Sequence, residues 1–199
     1  AGSAAGLAEG LRAAAGERLC AFELISRATL DLVLDRIEGA QDPLEGSVPW
    51  SALVELADSS ANAELGLIFE DVLGGAIEEG YVLDAVIAAN ANQIAKLWAL
   101  RENAAEAQKR EGFSVKHDIS VPVSRIPEFL DRAGRALTAA FPGIRIIAFG
   151  HVGDGNLHYN CFGPRGGESL VARSPEVNRV VYDLVAELGG SISAEHGIG

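Results

Sequence analysis

Twice along this chain a short apolar run gives way to a helical pattern and then to another short apolar run. None of these runs is the long Val/Ile/Leu stretch of a strand buried in a parallel sheet. In the first round, residues 18–25 (RLCAFELI) predict a strand. Residues 26–38 predict a helix carrying Leu30, Val33, Leu34 and Ile37, and 49–57 (PWSALVELA) a second strand after a Gly/Pro/Asp-rich turn. A helix follows on Leu65, Ile68, Phe69 and Val72, capped by Ser59 or Ser60 and weakened at Gly74-Gly75. Residues 81–88 (YVLDAVIA) predict a third strand, and 91–110 a helix with Ile94, Leu97, Trp98 and Arg101 on one stripe. The second round has strands at 114–123, 144–151 and 157–162, and helices at 124–140 and 175–188. A leading helix at 4–16 and a short final strand in SISAE complete the pattern. The expected class is α+β, with antiparallel sheets covered by helices. Two ferredoxin-like halves would meet near residues 110–114 within one domain, 1–199.

Composition narrows the function. Asp plus Glu is 28 against 16 for Lys plus Arg, so the net charge of -12 opposes binding to nucleic acid or anionic lipid. No apolar stretch approaches the roughly 18 residues of a membrane span. No basic region followed by an apolar core marks a signal peptide. Cys20 and Cys161 stand 141 positions apart, which predicts free thiols and a cytoplasmic location. The chain has no Met and stops at Glu195-His196-Gly197-Ile198-Gly199, so a piece of a longer protein is expected.

Four histidines exist, and two flank a tight loop in F-G-H-V-G-D-G-N-L-H-Y-N. With Gly153-Asp154-Gly155-Asn156 as the turn, His151 would lie directly opposite His158 and share its face. Two imidazoles so placed can converge on one metal ion, and Asn160 lies on the same face. The plainer alternative is a polar pair on a solvated hairpin. Glu195 is the candidate third ligand, completing a His-His-Glu site with open positions. On a strand its neighbour His196 points the other way and is left as a general base. The alternative for both is an exposed terminal loop. Arg101 beside Trp98, and Lys116 in an alternating strand, could together hold a substrate carboxylate. Otherwise Arg101 pairs with Glu102 or another surface acid, and Lys116 faces water. Gly150-x-x-Gly153-x-Gly155 precedes a strand, so it is not a dinucleotide fingerprint. Asp154-Gly155-Asn156 lacks the downstream Glu of a calcium loop, since position 165 is Arg.

Three strings together resemble the C-terminal domain of the FAD-linked oxidase family, which includes D-lactate dehydrogenases, the glycolate oxidase flavin subunit and D-2-hydroxyglutarate dehydrogenase. They are L-W-A-L-R-E-N (97–103) with K-H-D-I-S-V-P (116–122), G-H-V-G-D-G-N-L-H-Y-N (150–160), and S-A-E-H-G-I-G (193–199). The resemblance implies metal ligands at His151, His158 and Glu195, and a catalytic histidine at His196. It implies substrate contacts at Arg101, Lys116 and Asn160. It also implies FAD held mainly by an N-terminal domain, a divalent metal (Zn, Mn or Fe), and oxidation of a small D-2-hydroxy acid to a 2-oxo acid. The partners are then that substrate, the FAD domain and an electron acceptor of unspecified kind; a homodimer is compatible. The family's FAD domain and closing tail are not in this sequence, so turnover by these residues alone is not expected. Ala105 stands where some hydroxyglutarate-type members carry a hydroxyl, which counts against a dicarboxylate substrate. The competing classes are an acidic binding module without chemistry and a metal-dependent hydrolase using the His-His-Glu set.

Overall fold

A computed structural model describes residues 2–60, 63–167 and 169–194. The chain runs α1 (Gly2–Ala15), β1 (Leu19–Ser26), α2 (Arg27–Arg36), β2 (Trp50–Leu56) and α3 (Leu65–Glu78). It continues through α4 (Ala91–Glu102), α5 (Ala104–Glu111), β3 (Asp118–Ser120) and α6 (Ile126–Ala140). It ends with β4 (Arg145–His151), β5 (Asn156–Phe162) and α7 (Ser174–Glu187). The strands join in one sheet of order β2-β1-β4-β5-β3, and every pairing is antiparallel. The expected α+β class holds, and the two rounds share this sheet through the β1–β4 ladder. The second round is the ferredoxin-like one. Its strands lie in the order β4-β5-β3, and Ser191 bridges to Ser120 on the free side of β3. That gives the split-βαβ order.

The sheet is buried on both faces, because alternate residues of each strand are apolar in opposite directions. On one face Phe22, Leu24, Ile119, Ala148, Leu157, Tyr159 and Cys161 form a core with residues of α1, α6 and α7. The α6 contribution is Ile126, Phe129, Leu130, Ala133 and Leu137, one face of a helix with Pro127 in its first turn. On the other face Ile25, Ile147, Phe149 and Phe162 pack under Leu30 and Val33 of α2, Leu100 of α4, and Ala104 and Ala107 of α5. Each such fully buried large side chain contributes about 1.5–3 kcal/mol. Ser26 caps α2 by accepting from Thr29 N (3.2 Å), and the Thr29 hydroxyl donates to Ala148 O (3.0 Å), which ties the helix to β4.

Several expected elements differ. Residues 81–88 are not a strand. Tyr81 N and Val82 N both donate to Ala76 O and cap α3, and the run then lines a cleft of ≈ 550 Å³ with β2 and α4. An apolar segment packed in a cleft has the composition of a strand without its ladder. The strand expected at 114–123 shrinks to three residues plus a bridge at Val115. The helix at 91–110 breaks at Asn103, whose side chain donates to Ala99 O at 2.8 Å. Gly74-Gly75 does not interrupt α3, and its N-cap is Glu64, not Ser59 or Ser60. SISAE contributes the Ser191 bridge, with Ala194 N donating to Asp118 O (3.1 Å).

Candidate functional site

The β4–β5 hairpin sets the site. Phe149 pairs with His158, and the turn is Val152–Gly155, one residue earlier than the spacing predicts. This frame requires glycine at 155. Gly155 has φ +78°, and a Cβ there would lie 2.1 Å from Val121 O. Gly150 is equally constrained, since its Cβ would meet Asn156 O at 2.2 Å. His151 is therefore not directly opposite His158. Moving a turn by one residue moves the pairing by two, however, and a shift of two preserves the face. The histidines are diagonal neighbours on one face, with backbones on the order of 7–8 Å apart. The His158 ring lies instead against Phe149, 4.9 Å between centroids.

Each histidine has a carboxylate beside it on the adjoining outer strand. Glu23 of β1 is level with His151, and Asp118 of β3 with His158. Glu23 is 1% exposed, and its Oε1 contacts His151 Nδ1. Its Oε2 accepts from Arg101 Nε at 2.6 Å, and the Arg101 guanidinium lies over the Phe149 ring at 4.6 Å. A buried carboxylate is tolerated here because a guanidinium and an imidazole share it. Asp118 Oδ1 is 3.8 Å from His158 Nδ1. Arg101 is thus acid-paired, but with the buried Glu23 and not with Glu102 or another surface acid.

Asn160 is buried on the same face. Its Oδ1 accepts from His117 N (3.1 Å), and its Nδ2 donates to Gln108 Oε1 (2.7 Å). The Val115–Cys161 bridge continues the β3 register, which sets exposed Lys116 level with Asn160 on that face. The sheet thus brings Arg101, Lys116, His151, His158 and Asn160 to one face. Glu195 and His196 lie outside the described residues. Among the described residues, no group of three or more His, Cys, Asp or Glu could by itself hold a metal ion.

Sequence reasoning missed Glu23, Asp118 and Gln108. For Glu23 a signal existed, as a lone acid inside the apolar F-E-L-I run must be paired. His117 belongs to the opposite face and to the core. Its Nδ1 lies 2.7 Å from Tyr159 O, its Nε2 3.0 Å from Asn178 Oδ1, and its ring meets Tyr182 edge-on. Burial pushes its pKa below the ordinary value, against the two hydrogen bonds.

No described helix is long and apolar enough to cross a membrane. D-2-hydroxyglutarate dehydrogenase of Stutzerimonas stutzeri is 37% identical over 185 residues, which cover 91% of this chain and 39% of that protein. The mitochondrial D-2-hydroxyglutarate dehydrogenases of Arabidopsis thaliana and Rattus norvegicus are each 35% identical over 185 residues. Those matches cover 92% of this chain, but 32% of the plant protein and 33% of the rat protein. The chain spans about a third of the length of the curated relatives it matches. The family model described as FAD linked oxidases, C-terminal domain, matches residues 3–199. Fold, motif order and these matches agree: the chain belongs to the FAD-linked oxidase family, as its C-terminal domain.

Proposed function

We propose that this domain holds and deprotonates the substrate in a flavin-dependent D-2-hydroxy acid dehydrogenase. The observation that carries the reading is the row of Glu23, His151, His158 and Asp118 on one face, with Arg101 beside it. Arg101 is anchored through Nε, so its terminal nitrogens are the donors for a substrate carboxylate. Lys116 adds a second cation on that face. Asn160 has one N–H beyond those already bonded, and that N–H is the one to reach substrate. His196 takes the proton of the 2-hydroxyl as C2 loses hydride.

The donor set fits a divalent ion. A metal-ligating histidine turns its second nitrogen toward a carboxylate, and both His151 and His158 face one through Nδ1. Their Nε2 atoms would be the ligating ones, with Glu195 as third ligand. When bound, FAD supplies the hydride acceptor, and Zn, Mn or Fe supplies Lewis acidity at the hydroxyl. Glu23 and Arg101 keep the His151 ring oriented throughout.

D-2-hydroxyglutarate is the first substrate to test, because it is the one named in the relatives. Ala105 is exposed and offers no hydroxyl, so D-lactate is the comparison. The free thiols of Cys20 and buried Cys161 favour a cytoplasmic location, while the plant and rat relatives are named mitochondrial. Anaerobic mixing of the flavin-loaded full-length protein, with its FAD domain, with D-2-hydroxyglutarate is expected to bleach the flavin absorbance. His196→Asn is expected to keep its metal and lose bleaching. Bleaching at the parent rate in that variant overturns the role of His196. No bleaching with any 2-hydroxy acid overturns the dehydrogenase reading in favour of a hydrolase or binding module.

A further inference from the structure

At the opposite end of β4 from His151, three arginines gather at a second cavity, of ≈ 370 Å³. Six residue steps along the strand separate Arg145 from His151, about 20 Å at the usual rise. Glu111, its side chain 4% exposed, is the hub. It accepts from Arg36 Nη2 (2.6 Å) and Arg36 Nε (2.9 Å) and is paired with Arg145 Nη1. Arg145 Nε also donates to Gly163 O at 3.0 Å.

Arg165 is placed differently. It is 64% exposed and stands 3.9 Å from Glu111 and 3.5 Å from Asp35, forming no hydrogen bond among the described residues. Among the described residues, three guanidinium groups thus meet two carboxylates, Glu111 and Asp35. A structural ion pair for Glu111 needs Arg36 and Arg145 only, and the third arginine is surplus to it.

The cavity's rim adds two further observations. It is formed by Gly163-Pro164-Arg165-Gly166-Gly167, a tight loop in which Gly167 N donates to Pro164 O (3.0 Å) and Gly166 has φ +69°. Its three glycines let ligand atoms approach the backbone closely. Phe113 also lines the cavity and is 86% exposed. An exposed aromatic ring lining the same cavity as guanidinium groups suits a ligand with a planar base and an oxyanion. Glu168 of the same loop lies outside the described residues.

We propose that this cavity binds a nucleoside phosphate, its phosphates on Arg165 with Arg36 and Arg145 and its base against Phe113. The site is separate from the 2-hydroxy acid site and does not depend on that reading. Calorimetric titration of the full chain with ADP, and separately with pyrophosphate, tests it. Saturable ADP binding is expected, weakened about tenfold in Arg165→Ala through loss of a charge-assisted contact. Phe113→Ala is expected to weaken ADP about fivefold or more and to leave pyrophosphate unchanged, because only the base stacks. Both side chains are exposed, so both variants keep the fold. Absence of saturable ADP binding, or binding that Arg165→Ala leaves intact, overturns the proposal. Equal affinity for ADP and pyrophosphate, with Phe113→Ala silent, overturns the nucleoside assignment.

Discussion

Glu23 sits inside the apolar run of β1 with its side chain 1% exposed, held by Arg101 and His151. Removing one partner of a buried ion pair strands the other. Glu23→Ala is therefore expected to destabilise the domain by about 3 kcal/mol, read from the urea midpoint. An unchanged midpoint would mean that the pair contributes nothing net. His117 gives a pH dependence. Burial holds its pKa below the ordinary 6.5, so the unfolded chain takes up a proton that the folded one refuses. Its contribution to stability is complete above 6.5 and is lost as pH falls from there through the folded value. A plot of unfolding free energy against pH should slope downward below 6.5, and His117→Gln should flatten that slope. At this scale the sequence had exposed the chemically active types, since histidine and arginine stand out in any string. It marked Glu23 only as an acid in need of a partner and hid Asp118, since the partners of both stand opposite them on neighbouring strands.

The β4–β5 hairpin is the element on which the site depends. Gly155 combines a positive φ with a close approach to Val121 O, and a methyl there is both strained and blocked. Gly155→Ala is expected to destabilise by at least about 1–3 kcal/mol and to disturb the relation of His151 to His158. A thermal melt and a metal titration read the two effects. A variant with unaltered melting would show that the turn can shift its frame. The hairpin was legible as a hairpin, because a D-G-N turn between alternating strands has few other readings. Its frame was not legible. The choice between two turns one residue apart was made by Val121, 34 positions before Gly155, through a contact that no local pattern contains.

For the whole molecule, charge and sheet order matter most. The net charge of -12 puts the compact state under self-repulsion that added salt screens. The melting temperature is expected to rise between low salt and about 0.5 M NaCl, where the screening length has fallen below 10 Å. A fall would mean that attractive pairs such as Arg132–Glu187 and Arg36–Glu111 outweigh the repulsion. The α+β class, the antiparallel pairing and the identity of most helices followed from the sequence alone. Their signal is a local period that each segment carries by itself. The 81–88 run failed on the same ground, because apolar content announces burial and does not distinguish a ladder from a cleft. The merging of two rounds into one sheet, the pairing of Glu23 with Arg101 and the gathering of arginines round Glu111 were decided by tertiary structure. Each joins residues from 34 to 128 positions apart, and long-range pairing leaves no trace in the periodicity of either partner.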